Sequence, residues 1–488
     1  MSGLGTYLGF DLGTSGLRGL LMDVAGGVIG VDETSFEVAR PHLGWSEQEP
    51  SDWIKAVTKV VFALRSAHPD DFARLSGIGV SGHMHGATLI DNDGEVLRPC
   101  ILWNDTRCHE EAAALDAQPE VRRLSGNVVF PGFTAPKLVW VARHEPEIFR
   151  RVSRVVLPAT YLNFWLSGNC IGDMSDAAGT SWLDVGRRAW SDRLLTAGGM
   201  RSGQMPDVVE GSQSIGTLRA DLAVEWGVSK NVTIAGGGGD NAVAACGVGA
   251  LNEGDGFVSL GTSGALVIAR ERFAPMPETA VHTFCHAVPE RWYQMGVILA
   301  ATDCLNWLSE LTGRTPSELT GDLSTKISGA GEIQFLPYLS GERTPHNDAG
   351  IRGGFLNIDV ADGLKQMTRA VLEGVSFALR DNLEALKATG ARPKRLLAIG
   401  GGTASQFWLE LLATILNLPL DLPAQGEFGA ALGAARLGLC ADTGANPQTI
   451  MTNPKIARSV QPRADLIENY DAAWRRWRRL YPALKELT

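Results

Sequence analysis

The pentapeptide Leu-Gly-Thr-Ser-Gly occurs twice, at Leu12 to Gly16 and at Leu260 to Gly264, and each copy interrupts an apolar run. Tyr7 to Leu12 leads into the first and Leu17 to Met22 leaves it; Gly256 to Leu260 leads into the second and Ala265 to Ala269 leaves it. Short apolar runs broken by a glycine-bounded turn are the pattern of two strands joined in a hairpin. Identical hairpins almost half the chain apart point to a duplicated domain. Size points the same way, because 488 residues exceed what a single core supports, and two domains leave a cleft between them.

Between and after the hairpins the pattern alternates between helix and strand. Ser51 is a candidate cap for a helix with the apolar face Ile54, Val57, Val61 and Leu64, and Leu75 to Val80 reads as a buried strand. Asn92-Asp93-Gly94 is a turn. Further on, Val371, Leu372, Val375 and Leu379 are spaced for a helix over 368–389, which Gly390 stops, with Pro393 beyond it. A strand at Leu396 to Ile399 then runs into Gly400-Gly401-Gly402 and a helix from Ser405 to Leu416. Both halves are mixed α/β. The junction is expected near Gly247 to Glu253, giving domains over 1–248 and 249–445 and a terminal helical segment over 446–488. The last helix, about Leu466 to Leu487, carries Tyr470, Trp474 and Trp477 on one side and Arg475, Arg476, Arg478 and Arg479 mostly on the other; it is expected to return to the first domain.

A net charge of −10 gives no general attraction for nucleic acid or an anionic membrane, so neither is expected as a partner. No basic leader precedes Phe10 and no apolar run is long enough to span a bilayer, so a cytoplasmic protein is expected. Seven cysteines, scattered and never in a C-x-x-C pair, read as small core residues. His282, Cys285 and His286 lack further ligands near in sequence to make a zinc site. Gly77, Gly79 and Gly82 match a dinucleotide fingerprint in form only, since they lie inside an apolar run with no helix-forming sequence after them. There is no G-x-x-x-x-G-K-[ST], which argues against a P-loop enzyme.

The hairpin turns suit phosphate. Glycine and small hydroxyl residues let backbone N–H groups approach an anion, and Thr14, Ser15, Thr262 and Ser263 add hydroxyl donors. Asp11, closing the first strand, suits Mg²⁺, held directly or through water; its counterpart Ser259 suits only hydrogen bonding. The apolar run Val232 to Ala235 enters Gly236-Gly237-Gly238-Gly239 and then Asp240-Asn241, so a carboxylate follows backbone that a ligand can approach closely. Asp240 is the candidate general base, with a helix N-cap as the structural alternative. His83-Met84-His85-Gly86 follows the Leu75 to Val80 strand at the end where open sheets bind ligands, and His85 and Met84 suit the hydroxyls and carbon skeleton of a sugar.

Taken together these residues resemble the FGGY carbohydrate kinases of the actin, hexokinase and heat-shock-chaperone superfamily. The resemblance runs through Asp11 to Gly16, Trp45-Ser46-Glu47-Gln48, Met84 to Ala87, Ile101 to Asp105 with Arg107, Pro131 to Leu138, Asp173 to Thr180, Leu336 to Asn347 and Arg369 to Val375. It implies two duplicated RNase H-like (actin-like ATPase) domains around a cleft, and ATP-dependent phosphorylation of D-xylulose at its C5 hydroxyl. In that reading Asp240 is the base, and Met84, His85, Trp103, Asn104 and Asn241 surround the ketose. Asp11 with Mg²⁺, Thr14, Ser15, Arg18, Gly261 and Thr262 serve the phosphates, while Gly401, Gly402 and Ser405 lie beside the adenosine. Arg18 stands where the family commonly has lysine, Thr403-Ala404-Ser405 where Ala-Arg-Ser is frequent, and Thr414 where aspartate is usual, which leaves nucleotide preference open. L-Xylulose, ribulose or a pentitol as acceptor, a non-catalytic actin-like nucleotide-binding protein, and a homodimeric state all stay open at this level.

Overall fold

The computed structural model describes residues 5–324, 326–424 and 429–487. In the first half, β1 (Thr6–Leu12), β2 (Gly16–Asp23), β3 (Val28–Ser35), β4 (Leu75–Gly82), β5 (Ser214–Thr217), β6 (Thr233–Ala235) and β7 (Gly238–Gly239) make one sheet. Its order is β5-β6-β4-β1-β2-β3, with β7 pairing to β4 beyond β6. In the second half, β8 (Gly256–Leu260), β9 (Gly264–Arg270), β10 (His282–Cys285), β11 (Trp292–Ile298), β12 (Leu396–Ile399), β13 (Leu420–Pro423) and β14 (Ile456–Val460) run in the order β10-β11-β9-β8-β12-β13-β14.

Apart from β7 and β10, the two sheets agree in order and in strand sense. Each has an antiparallel meander (β1-β2-β3; β8-β9-β11), a parallel strand beside its first member (β4; β12), a second parallel strand (β6; β13) and an antiparallel last one (β5; β14). The repeated pentapeptide thus sits on the corresponding hairpin of each sheet.

The two turns nevertheless differ in register. Leu12 pairs with Leu17 and the Gly13 amide donates to Gly16 O at 2.9 Å, so Thr14 and Ser15 form the loop; in the second copy Leu260 pairs with Gly264 around Gly261-Thr262-Ser263. The surroundings account for the difference. Thr14 O accepts from Gln48 Nε2 at 2.6 Å and Ser15 O from the Phe36 amide at 3.1 Å. Gly261 O and Thr262 O instead accept from the Thr302 and Ala301 amides, at 3.0 and 2.7 Å, where the next helix begins. Both turns therefore have carbonyls already engaged, while the amides of Thr14, Ser15, Gly261, Thr262 and Ser263 donate to no described residue.

The helices that position the site are α1 (Pro50–Ala67), α2 (Thr134–His144), α3 (Met174–Ala177), α4 (Asp240–Gly247), α5 (Thr302–Thr312), α6 (Leu364–Ala388), α7 (Gln406–Leu416), α8 (Gly429–Thr443), α9 (Ile467–Trp477) and α10 (Leu480–Lys485). Helix α1 starts behind Glu49 with Pro50 in its first position, so Ser51 lies inside the helix and does not cap it. Helices α4 and α8 fill the space between the sheets: Val243 and Cys246 of α4 and Leu437 and Cys440 of α8 share a core with Phe257, Val267 and Tyr293 of the second half. On its other side α8 lies on the first sheet at backbone contact. A Cβ on Gly9 would come within 1.9 Å of Ala431 O, one on Gly79 within 2.0 Å of Ala434 O, and one on Gly433 within 1.9 Å of Val243 O. The glycines of the apparent dinucleotide fingerprint are thus part of β4, and Gly77 and Gly79 make room for α8. Helix α8, which lies just before the expected boundary at 445, thus packs against both halves.

The last helical stretch does not return to the first domain. It breaks into α9 and α10, and Tyr470, Trp474 and Trp477 join the core of the second half. That half supplies acceptors for the buried indole N–H groups: Trp474 Nε1 donates to Asp381 Oδ1 at 2.9 Å and Trp477 Nε1 to Phe335 O at 2.8 Å. Arg475, Arg476, Arg478 and Arg479 stay exposed. All seven cysteines are free thiols, and among the described residues no helix is long and apolar enough to cross a membrane.

If α8 is seated by backbone contact, Gly79→Ala forces the helix off the sheet, because the opposing atom is a carbonyl that no rotamer change can move. The substitution is expected to cost about 3 kcal/mol, seen as a lower melting temperature than for an alanine placed at exposed Gly203; equal melting temperatures for the two variants contradict the packing account.

Candidate active site

Asp240 opens α4 directly after β7, with Gly239 in the cap position, so the carboxylate is not consumed as a helix cap. Both the backbone and side-chain nitrogens of Asn241 donate to Asp240 Oδ1, at 2.7 and 2.8 Å. Oδ2 is thereby left to face a ligand. Although part of the residue reaches the surface, the protein crowded around the carboxyl pushes its pKa up to about 7; the Asn241 hydrogen bonds oppose this and the charge of Asp11 adds to it. Asp11 and Asp240 thus lie within electrostatic reach of each other.

Asp11 ends β1, where Ser81 Oγ on β4 donates to its Oδ1 at 3.2 Å. Burial raises its pKa, with Ser81 and Arg18 opposing. A cavity of about 450 Å³ beside the first turn is lined by Asp11, Gly13, Ser15, Arg18 and Glu33. Arg18 lines it as one half of an ion pair with Glu33 on the adjacent strand, at 2.9 Å. The opposite side of the turn is braced by two indoles: Trp103 Nε1 donates to Thr14 Oγ1 at 2.9 Å, and Trp53 Nε1 donates to Gln48 Oε1 at 3.1 Å. Beside Trp103, Asn104 Oδ1 is buried without a hydrogen-bond partner among the described residues.

Met84 and His85 follow β4. Met84 is buried against Gly239, where an added Cβ would come within 2.7 Å of Met84 Cγ, so this side chain abuts the strand end that delivers Asp240. Tyr293 Oη, from the second half, donates to Met84 Sδ at 3.5 Å. His85 adopts a left-handed backbone, φ 69°. Its Nδ1 lies 2.7 Å from Gly179 O. A carbonyl only accepts, so Nδ1 carries the proton, and in the neutral ring Nε2 is an acceptor. Burial pulls the imidazole pKa down to about 3, which keeps it neutral. The ring stacks on Phe133 with centroids 4.5 Å apart.

Three supports of this site have no role in the sequence reading. Lys137 Nζ donates to His85 O at 2.7 Å and to Gly132 O at 2.8 Å, and Thr134 Oγ1 donates to His85 O at 3.1 Å, so α2 holds the left-handed backbone in position. Burial lowers the Lys137 ammonium to about 8. Ser175 Oγ, at the start of α3, accepts from the Gly239 amide at 3.2 Å and steadies the strand end before Asp240. Asp176 is fully buried with both oxygens unpartnered among the described residues; burial, then repulsion from Asp173 and Asp240, holds its pKa well above the usual carboxylate range. A lysine among the apolar residues of α2 is a visible oddity; the others lie in the family-like stretches Pro131 to Leu138 and Asp173 to Thr180, which mark them without showing what they touch.

In the second half, Gly400 with φ 96° turns against the backbone of Leu260, and an added Cβ on Gly402 would come within 2.8 Å of Leu260 Cβ. Gly401 and Gly402 are thus brought beside Gly261 and Thr262. Ser405 caps α7, its Oγ accepting from the Trp408 amide at 3.3 Å. Thr414 is buried, donating to Glu410 O at 2.7 Å and accepting from the Arg463 amide at 3.1 Å, so it ties α7 to the terminal segment. His282 stacks on Phe284, and among the described residues no group of His, Cys, Asp and Glu is arranged to hold a metal on its own.

Family models cover both halves. Residues 6–247 match the N-terminal domain of the FGGY family of carbohydrate kinases and residues 256–441 its C-terminal domain. The chain is 43% identical to a xylulose kinase of Escherichia coli over 488 residues, 99% of each chain, and 46% identical to one of Klebsiella pneumoniae over 433 residues, covering 88% of this chain and 89% of that one. Among solved structures, a xylulose kinase from Brucella ovis superposes with a TM-score of 0.98 at 55% identity, covering 99% of this chain and 100% of that one. A Plasmodium falciparum glycerol kinase with ADP shares the fold at a TM-score of 0.89 and 19% identity, covering 98% of each. Family models over both halves and xylulose kinases matched over nearly the whole chain make this a sugar-phosphorylating enzyme. The chain belongs to the FGGY family of carbohydrate kinases.

A base must be ionised to accept a proton. With the Asp240 pKa near 7, kcat/KM for the sugar should fall about tenfold per pH unit below about pH 7 and level off above it. A rate profile over the acid range checks this; an acid limb centred in the ordinary carboxylate range, about pH 4, contradicts the environment described for Asp240.

Proposed function

We propose that the chain transfers the γ-phosphoryl group of ATP to the C5 hydroxyl of D-xylulose, giving D-xylulose 5-phosphate and ADP. The observation that carries this reading is the pairing of a carboxylate whose Oδ1 is fully engaged by Asn241 with a sugar-facing wall of Met84 and His85 against the same strand end. Identity to xylulose kinases over nearly the whole chain supports the choice of sugar.

The ketose lies along Met84, with its hydroxyls donating to His85 Nε2 and Asn104 Oδ1, both acceptors that the protein leaves free. The C5 hydroxyl then points at Asp240 Oδ2. As its oxygen attacks the γ-phosphorus, an O–P bond forms, the bond from the γ-phosphorus to the β,γ-bridging oxygen breaks, and ADP leaves. The hydroxyl proton passes to Asp240 late, because the transition state is loose, so positioning matters more than basicity. Charge on the transferring group is met by the free amides of the two turns, one from each half. Closure of the halves excludes water and limits ATP hydrolysis.

Mg²⁺ fits the donor set. A single carboxylate, Asp11, with Ser81 on one oxygen and the other free, matches an ion that takes one or two carboxylates, keeps several waters and binds phosphate oxygens. When bound, it supplies neutralisation of the β- and γ-phosphate charge.

Asp240→Asn keeps the shape of the site and removes the proton acceptor. Turnover is expected to fall by about 1000-fold, with D-xylulose affinity by calorimetry changed less than about threefold. Near-normal turnover in the variant rejects Asp240 as the base. A coupled ADP-release screen of the unaltered chain with pentuloses and pentitols tests the substrate: D-xylulose should give the highest kcat/KM, and a higher value for L-xylulose, ribulose or a pentitol replaces it.

A further inference from the structure

Arg343 lies on the second half, in the loop from Tyr338 to Asp348 that precedes α6. Its guanidinium is 4.1 Å from the ring centroid of Phe130, which belongs to the first half. Phe130 meets Phe133 edge to face at 5.6 Å, and Phe133 is the ring on which His85 stacks. The cation therefore reaches across the cleft to the same aromatic layer that backs the sugar-site histidine. Its charge is among the influences that depress the pKa of both His85 and His282, in keeping with that position.

What sets this arginine apart is that its side chain makes no hydrogen bond and no ion pair with any described residue. Its neighbour Glu342 is not a counter-ion. Glu342 Oε1 accepts from the Arg343 and Leu299 amides, at 2.6 and 3.2 Å, Oε2 is buried without a partner among the described residues, and burial raises the acid to about 8, with these amides and the Arg343 charge opposing. The guanidinium keeps its own charge, burial lowering it only to about 10. A cation–π contact leaves the forked set of N–H donors of this half-buried side chain uncommitted, and oxygen acceptors that arrive there can engage them.

The loop is too well anchored for this to be a stray conformation. The Thr344 amide donates to Val297 O at 3.0 Å, and Thr344 Oγ1 donates to Ala280 O at 2.9 Å. Glu342 and Asp348 exchange backbone hydrogen bonds at 2.8 Å. His346 stacks on Tyr481 of α10 with centroids 3.6 Å apart, and Tyr481 Oη donates to Asp348 Oδ2 at 2.9 Å. The terminal helix thus clamps the loop that presents Arg343.

We propose that Arg343 completes the sugar site from the second half, donating to the carbonyl or hydroxyl oxygens of the ketose at the end remote from Asp240, so that sugar bridges the two halves. This rests on the sugar-kinase reading above. His85 Nε2 and Asn104 Oδ1 accept from the sugar's hydroxyls, whereas Arg343 is a pure donor, and a ketose end carrying a carbonyl needs one. The acceptor site is in this way built from both sides of the cleft, and binding of the sugar favours the closed arrangement before phosphoryl transfer.

The test compares the full-length chain with Arg343→Met and Arg343→Lys. Arg343→Met should raise the ketose KM at least about tenfold, the loss expected for a charged hydrogen bond, with the ATP KM within about twofold. Arg343→Lys, which keeps charge but not the fork, should recover part of the loss. The stabilisation of melting temperature by saturating D-xylulose without nucleotide should shrink in step. If Arg343 only supports the fold, both variants melt earlier while ketose KM and the sugar-induced stabilisation are unchanged, and the proposal is overturned. The unaltered chain separates this from the substrate assignment. If D-xylulose drives no ADP release but another sugar does, the substrate reading fails and the same comparison is made on that sugar. ADP release independent of every sugar overturns both.

Discussion

At Gly9 and Gly79 no side chain can stand between the first sheet and α8. The carbonyls of Ala431 and Ala434 occupy the positions that a Cβ on Gly9 or Gly79 would need, and α4 meets α8 as closely, Gly433 against Val243 O. Asp11 lies next to the end of β1, Met84 and His85 follow β4, and α4 begins at Asp240. One helix therefore sets the relative position of Asp11, the Met84-His85 segment and Asp240. Interiors packed at this density deform little, so backbone contact fixes these elements, and the side chains of Lys137, Thr134 and Ser175 then hold His85 and the strand end before Asp240. The same helix carries Leu437 and Cys440 into the core shared with the second half.

Duplication supplied the scaffold, and divergence between the copies supplied the chemistry. Strand order and sense are common to both sheets, yet five identical residues close in different registers because different groups take up their carbonyls: Gln48 and Phe36 behind the first turn, Ala301 and Thr302 behind the second. Both solutions leave amides free for phosphate. Beneath the first turn stands Asp11; at the matching strand position of the second stands Ser259. In the function proposed above, the first half would hold base, metal-facing carboxylate and sugar, and the second would bring Gly261, Thr262 and the Gly400 to Gly402 loop to the nucleotide and Arg343 to the acceptor site.

Much of this is legible along the chain because it is local. Hairpin turns, the four glycines before Asp240, and Met84-His85 at a strand end are runs of adjacent residues whose conformational needs are written in their own identities. What sequence misses is decided by distant partners. The tautomer of His85 depends on the carbonyl of Gly179, and its left-handed backbone on Lys137. The glycines of β4 look like a nucleotide fingerprint because the chain cannot announce that α8, some 350 residues later, will lie on them. The aromatic face of α9 says that the helix packs, not on which half; the acceptors Asp381 and Phe335 O decide that. Thr414, conspicuous against its family pattern, is a buried tie between α7 and the terminal segment.

The central claim is geometric: a sugar hydroxyl lies between Asp240 and a γ-phosphate gripped by turns from both halves. A crystal structure with D-xylulose and a non-hydrolysable ATP analogue tests it directly. The account predicts the C5 hydroxyl within hydrogen-bond distance of Asp240 Oδ2, the γ-phosphate on the amides of the two turns, and the far end of the ketose between His85 and Arg343. A sugar bound with its C5 hydroxyl away from Asp240, or a γ-phosphate touching only one of the turns, contradicts it.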